Sequence, residues 1–351
     1  RFVYIINSLE QLEHTEIIRT KLWNDKKDEH GPFDIIGDIH GCFDELTLLL
    51  ERLGYAKTED GYTHPEGRKA AFLGDFCDRG SKNAAVLRLV MDMVKNGNAI
   101  AIPGNHDAKL LKYLRGKTVS MTHGMDKTIA ELETEGEEFK AKVAEFLDGL
   151  ISHYVLDNGK LVISHAGLKQ EYIGRTSSRI REFCLYGETT GETDSYGLPV
   201  RLDWAADYRG RATIVYGHIA GREVKSLNGT YCIDTGCVYG GKLTAYRYPE
   251  RDFVQVEAGK EYYVPEKPLE SQGDEEMGDL LTADDFNHKL HITTKLLPSI
   301  DIHENNSCAA LEIMSRFATD PHWLIYLPPT MSPCETSGLD GYLEHPLEAF
   351  S

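Results

Sequence analysis

The sequence predicts an α/β fold, a two-sheet sandwich flanked by helices and followed by a small C-terminal α+β extension. Three observations predict it. Between residues 33 and 250, short apolar runs alternate with segments whose apolar residues recur at helical spacing. Five of the turns in that region carry small clusters of metal-ligand residues. Beyond a strongly acidic stretch, residues 287–351 change character.

The elements follow in order. Residues 1–30 read as the tail of an upstream element and a linker. Arg1-Phe2-Val3-Tyr4-Ile5-Ile6 resembles a strand cut from a larger protein, and Lys26-Lys27-Asp28-Glu29-His30-Gly31-Pro32 is a polar breaker. Phe33–Ile36 is the first core strand. Leu46, Leu49, Leu50 and Leu53 then mark one face of a helix. Ala70–Leu73 is the next strand. Ser81 caps a helix with Val86, Val90, Met93 and Val94 on its apolar face, and Gly97 ends it. Ala99–Ile102 is a third strand, closed by Pro103. Residues 125–152 are again helical. Asp157-Asn158-Gly159 is a hairpin turn into a strand at Leu161–Ile163. Ala212–Tyr216 and Thr230–Ile233 supply later strands, and Leu243–Tyr248 alternates as an edge strand would. A sheet core with helices over it follows from this order. Further on, Asn306 begins a helix carrying Ala310, Ile313, Met314 and Phe317, stopped by Asp320-Pro321, and a proline-rich stretch follows at residues 327–333.

Composition narrows the class. The 351 residues are 41% hydrophobic and 27% charged, as in globular proteins, with no apolar run long enough for a bilayer span. The seven cysteines are scattered and form no CxxC pair, which argues against structural zinc and a disulfide framework and for a reducing, cytoplasmic setting. A net charge of −18 makes the chain a poor general binder of nucleic acid. Residues 266–286 hold eight acids against the single Lys267 and read as a solvated linker.

The turn clusters carry the chemistry. They are Gly37-Asp38-Ile39-His40-Gly41, Gly74-Asp75-Phe76-Cys77-Asp78-Arg79-Gly80, Gly104-Asn105-His106-Asp107, Ser164-His165-Ala166-Gly167 and Tyr216-Gly217-His218. Asp38 and His40 are two apart in an extended segment, so their side chains point the same way and can grip one ion. Asp75 leaves the next strand, and one carboxylate can bridge two metals. Asn105, His165 and His218 each leave a strand and can complete a second ion. Carboxylate and amide oxygens mixed with imidazole suit Mn²⁺, Fe²⁺, Ni²⁺ or Zn²⁺ more than Ca²⁺. Two such ions about 3.5–4 Å apart can hold a hydroxide between them and clamp phosphoryl oxygens, so no Ser or Cys nucleophile is needed. His106 follows Asn105 and can act as general acid, with Asp78 orienting it. Arg79 offers a planar fork of donors for phosphate, beside Asn105 and His106.

Each cluster alone has a plainer reading. A lone Gly-Asp-x-His-Gly is more often a surface turn, and a buried Ser-His, as in Ile151-Ser152-His153, is usually structural. Only four of the fourteen histidines fall in the clusters, so histidine content decides nothing. The five together reverse those odds. Three features stay outside them. Gly116-Lys117-Thr118 is no Walker A loop, because Leu111 stands where glycine is required. Thr122-His123-Gly124 reads first as a helix-initiating turn, with His123 near substrate as the alternative. The loop 234–241 is glycine-rich and follows a strand, and Asp234 is a candidate to hold a ligand histidine from the second shell.

Together the clusters resemble the binuclear metallophosphoesterase superfamily, in the branch with Gly-Asp-x-x-Asp-Arg-Gly. That resemblance implies a metal site of Asp38, His40 and Asp75 for one ion and Asp75, Asn105, His165 and His218 for the other. It also implies His106 with Asp78 as the acid pair and Arg79 as the phosphate clamp. Flanking segments are similar to the central phosphatase of bacterial polynucleotide kinase-phosphatases: Leu22-Trp23-Asn24-Asp25, Pro199-Val200-Arg201-Leu202-Asp203-Trp204, residues 324–333 and Tyr342-Leu343-Glu344-His345-Pro346. By that likeness residues 1–30 end an upstream kinase, 31–265 are the phosphatase, 266–286 the linker and 287–351 the start of a ligase-like module. With neither a Walker A nor a Lys-x-Asp-Gly motif, the chain is expected to be phosphatase only. The family implies removal of 2′- or 3′-phosphates and opening of 2′,3′-cyclic phosphates at RNA 3′ ends. It further implies Mn²⁺, with Ni²⁺ as the alternative, and an RNA methyltransferase partner. The competing expectations are a Ser/Thr protein phosphatase or a diadenosine tetraphosphate hydrolase of the same superfamily, and a non-catalytic scaffold between kinase and ligase.

Overall fold

A computed structural model of the chain describes residues 5–16, 20–59 and 61–269. The helix expected at Asn306 and the proline-rich stretch lie outside the described residues, as does most of the acidic run.

Two mixed sheets face each other. One has five strands in the order Asp252–Glu257, Lys242–Tyr248, Phe33–Ile36, Lys69–Phe72, Ala99–Ala101. The other has six, in the order Asp25–Lys26, His153–Leu156, Leu161–Ser164, Thr213–Tyr216, Thr230–Cys232, Lys225–Leu227. The period-2 alternation of the strands sorts their side chains into layers. Phe33 and Ile35 pack with Leu73, Leu161, Ile163 and Val215 between the sheets. Ile36 and Phe72 point the other way, onto the helices Phe43–Arg52 and Asn83–Lys95. On the outer face of the six-stranded sheet, Val162 and Ile214 pack with Phe183 of the helix Ser178–Tyr186 and with Trp204. The expected sandwich with flanking helices is therefore the fold.

Three local expectations are corrected. Leu243–Tyr248 is not an edge strand: Lys242–Tyr248 pairs antiparallel with both Phe33–Ile36 and Asp252–Glu257, and the latter forms the edge. Its alternating pattern arises because it is covered by helices on one face and by the other sheet on the opposite face. Second, the segment read as linker before residue 31 contributes Asp25–Lys26, which pairs in parallel with His153–Leu156. Asn24, there, is buried and bonds to His153 Nε2 at 2.8 Å. Third, the helical stretch after residue 124 is two helices, Met125–Glu135 and Glu137–Gly149, broken at Gly136 with φ 90°.

Topology gathers the turn clusters. Phe33–Ile36, Lys69–Phe72 and Ala99–Ala101 run parallel in one sheet, and Leu161–Ser164, Thr213–Tyr216 and Thr230–Cys232 run parallel in the other. All six deliver their C-terminal turns to one edge of the sandwich, where open α/β sheets place their sites.

Candidate active site

The turns meet so closely that some positions have no room for a side chain. A Cβ on Gly74, which has φ 94°, would overlap the Gly104 backbone nitrogen, and one on Gly217 would overlap an Asp38 carboxylate oxygen. His40, Asp75, Asp78, Arg79, His123 and His218 are six of the ten non-glycine residues with positive φ among the described residues. Each such backbone costs about 1–3 kcal/mol and is held by its surroundings. Asp107 supplies part of that hold. Its fully buried carboxylate accepts from the backbone nitrogens of Asp75 at 2.7 Å, Gly104 at 2.8 Å and Phe76 at 3.0 Å.

Asp75 stands at the centre. Its Oδ1 accepts from His106 N at 3.0 Å. Its Oδ2 lies 3.4 Å from His40 Nε2 on one side and 3.6 Å from His165 Nε2 on the other. The ring tautomers follow from the remaining bonds. His40 Nδ1 donates to Cys77 O at 2.8 Å and His165 Nδ1 donates to Leu73 O at 2.9 Å. Both rings therefore turn an Nε2 lone pair inward. Around His165 Nε2 stand Asn105 Oδ1 at 3.0 Å and His218 Nδ1 at 3.1 Å. His218 Nε2 is buried without a partner. Asp38, 4% exposed, accepts from His218 N at 3.0 and 3.2 Å.

Acceptors converge here with Arg79 Nη1 the one side-chain cation among them, an arrangement that describes a cation site. Two of the candidate ligand clusters among the described residues, His40–Asp75–His106 and Asp75–His165–His218, lie here and share Asp75. Electrostatics agrees. Burial, then the charges of Asp234 and Asp75, push the Asp38 carboxyl well above its usual range. Burial carries Asp75 up to about 7 and Asp78 up to about 6. Burial drives His165 down to about 4 and, with the Arg79 guanidinium next, lowers His40. Crowded carboxylates and neutral imidazoles are the state that divalent cations would complete.

Beside the clusters lies a buried His–Asp pair. His106 Nδ1 is 2.6 Å from Asp78 Oδ2, and both residues are buried. The other Asp78 oxygen accepts from Thr128 Oγ1 at 2.7 Å, and Asp78 N donates to the same hydroxyl at 3.1 Å. Arg79 Nη1 donates to His40 Nε2 at 2.6 Å, while its Nε is buried without a partner. The guanidinium lies 5.4 Å over the Tyr239 ring, in the glycine-rich loop. That leaves a fork of donors facing the ligand clusters.

The structure thus brings Asp38, His40, Asp75, Asp78, Arg79, Asn105, His106, His165 and His218 to one place. Asp234 behaves differently from its expected part. Its carboxylate accepts from Gly236 N at 3.0 Å and crowds Asp38, while backbone carbonyls orient His40 and His165. His123 lies in the turn just before Gly124, the N-cap of the helix Met125–Glu135, and also borders the site. Its carbonyl accepts from Arg79 N at 3.1 Å and its ring is 6.0 Å from that of His106. His153 is buried and structural, with Nε2 accepting from Gly174 N at 3.2 Å. Thr128 and Asp107 were missed. Asp107 had a signal, as the acid directly after Asn105-His106; Thr128 had none.

Comparison with known proteins agrees with this geometry. Residues 31–247 match the family described as calcineurin-like phosphoesterase, and residues 309–351 match the PNKP adenylyltransferase domain, ligase domain. The chain is 47% identical over 234 residues to the bis(5′-nucleosyl)-tetraphosphatase PrpE (asymmetrical) of Anoxybacillus flavithermus, covering 66% of this chain and 96% of that protein. It is 44% identical to the protein of that name from Bacillus subtilis, with the same coverage. For Halalkalibacterium halodurans the identity is 46%, over 64% of this chain and 93% of the relative. No helix among the described residues is long and apolar enough to cross a membrane. The chain is a hydrolase of phosphoesters and belongs to the calcineurin-like phosphoesterases.

Proposed function

We propose that the chain is a two-metal hydrolase of nucleotide phosphates. The observation that carries this is the single Asp75 oxygen set between His40 and His165, with the His106–Asp78 pair and the Arg79 fork beside it. Asp38, His40 and Asp75 would hold one divalent ion, and Asp75, Asn105, His165 and His218 the other, with Mn²⁺ the first choice and Ni²⁺ the second. Such ions supply a water ionised at neutral pH and charge for the phosphoryl oxygens. The residues do the rest. Arg79 and Asn105 orient the phosphoryl group. His106 hands a proton from Nε2 to the leaving oxygen while Asp78 holds Nδ1. Burial and Arg79 lower the His106 pKa, which disfavours the protonated acid. An arriving phosphate brings negative charge that reverses that bias.

Two substrates fit. The first is a dinucleoside tetraphosphate cut asymmetrically to a nucleoside triphosphate and a monophosphate. Relatives that carry that name match the catalytic region nearly from end to end, and they favour this reading over the RNA-end expectation. The second is an RNA end bearing a 2′-, 3′- or cyclic phosphate. One observation favours it: the match to the PNKP ligase domain at residues 309–351. Under it, kinase and ligase modules and an RNA methyltransferase become the partners. A Mn²⁺-loaded sample given a dinucleoside tetraphosphate, an RNA with a 2′,3′-cyclic end and a phosphopeptide separates the readings. Cleavage of the phosphopeptide alone would sink both.

A further inference from the structure

The chain carries 56 acids against 38 Lys and Arg, and two of its acid-free segments are rich in cations. Residues 108–125 hold Lys109, Lys112, Arg115 and Lys117, and residues 172–181 hold Arg175, Arg179 and Arg181. The fold brings these segments together. A cleft of about 340 Å³ opens between the helices Asn105–Leu114 and Ser178–Tyr186, lined by Lys112, Arg115, Lys117, Arg181, Tyr186 and a single acid, Glu182. Arg115 is paired with Asp148. Among the described residues Lys112, Lys117 and Arg181 have no ion-pair partner. Other exposed cations are neutralised locally: Lys21, Lys82, Arg88, Lys142 and Lys160 each pair with an acid. Unpaired positive charge in so acidic a chain marks a place for an anion.

The cleft shares a helix with the site. Its first helix starts with Asn105 and His106, and Lys112 stands about 10 Å further along the axis. Its second helix ends at Tyr186, whose carbonyl accepts from Arg201. Tyr186 lines the cleft, and burial and then the nearby charge of Asp75 push up its phenol. Tyr186 remains 38% exposed, and an exposed aromatic beside cations is the pattern of single-strand binding surfaces.

We propose that this cleft is the path of a single-stranded polynucleotide into the site, with Lys112, Lys117 and Arg181 on backbone phosphates and Tyr186 stacked on a base. This deepens the RNA-end reading above and rests on it. Neither helix alone shows the path, because its cations come from segments some 60 residues apart.

The test separates binding from turnover. Fluorescence anisotropy with a labelled RNA of about twelve nucleotides and a 3′-hydroxyl end, which offers nothing to cleave, is followed across salt concentrations. The triple variant K112A/K117A/R181A should bind at least about tenfold more weakly at low salt. Its log–log salt slope should fall by about 2, the loss of three phosphate contacts. Tyr186→Ala should weaken binding several-fold, and Tyr186→Phe should restore it. Mn²⁺-dependent hydrolysis of p-nitrophenyl phosphate should not change in any of these. Wild-type affinity in the triple variant overturns the proposal, as does an equal loss of p-nitrophenyl phosphate hydrolysis. Wild-type protein that binds a dinucleoside tetraphosphate but no RNA overturns it too. RNA held through these cations but not cleaved at a 2′,3′-cyclic end would leave the cleft standing and remove the RNA-end reading of the reaction.

Discussion

His106 gives the sharpest test at the scale of one residue. If it protonates the leaving group, His106→Ala should lower kcat by about 10²–10⁴ on an alkyl or nucleoside phosphate. The loss should be much smaller on p-nitrophenyl phosphate, whose leaving group needs no proton. Equal losses on both would make His106 a binding residue. Thr128→Val tests the layer behind it. The Asp78 carboxylate would lose its 2.7 Å donor, and stability should fall by about 1–3 kcal/mol, read as a lower denaturation midpoint. The residues that gather at the site were legible in the sequence because aspartate and histidine at fixed spacing after apolar runs are chemically distinctive. Thr128 was not, because a threonine on a helix has many uses, and this one reaches a carboxylate 50 residues away. The carbonyls of Cys77 and Leu73, which set the histidine tautomers, were likewise invisible, since every residue has a carbonyl.

At the scale of elements, the tightest joint is where the turn after Lys69–Phe72 meets the one after Ala99–Ala101. Gly74→Ala places a methyl group against the Gly104 backbone at a φ that disfavours any side chain. It should cost more than about 1 kcal/mol of stability and reduce metal affinity, measurable by thermal melts with and without Mn²⁺. Strands and helices with one buried face were readable from period 2 and period 3.6. Two elements misled. Lys242–Tyr248 mimicked an edge because alternation does not distinguish a half-exposed strand from one between two chemically different layers. Asp25–Lys26 looked like linker because two charged residues carry no pattern, and only backbone pairing makes them a strand.

Across the whole molecule, pH stability is set partly by groups far from the chemistry. His153, buried, has its pKa pushed down to about 4 from 6.5. The unfolded chain therefore takes the proton more readily, and stability is lost as pH falls from about 6.5 towards 4. The group can account for at most about 3 kcal/mol of that loss. Melting temperature of the metal-free protein should decline across this window, and His153→Gln should flatten the decline. The net charge of −18 was legible and pointed away from nucleic acid. The cationic cleft was not, because it exists only once two distant helices pack. The central claim is that Asp75 joins two metals in one site. Anomalous X-ray diffraction from Mn²⁺-soaked crystals tests it most directly. Two peaks about 3.5–4 Å apart, one on each side of the Asp75 carboxylate, are the predicted result. A single peak, or a pair that leaves Asp75 untouched, would contradict it.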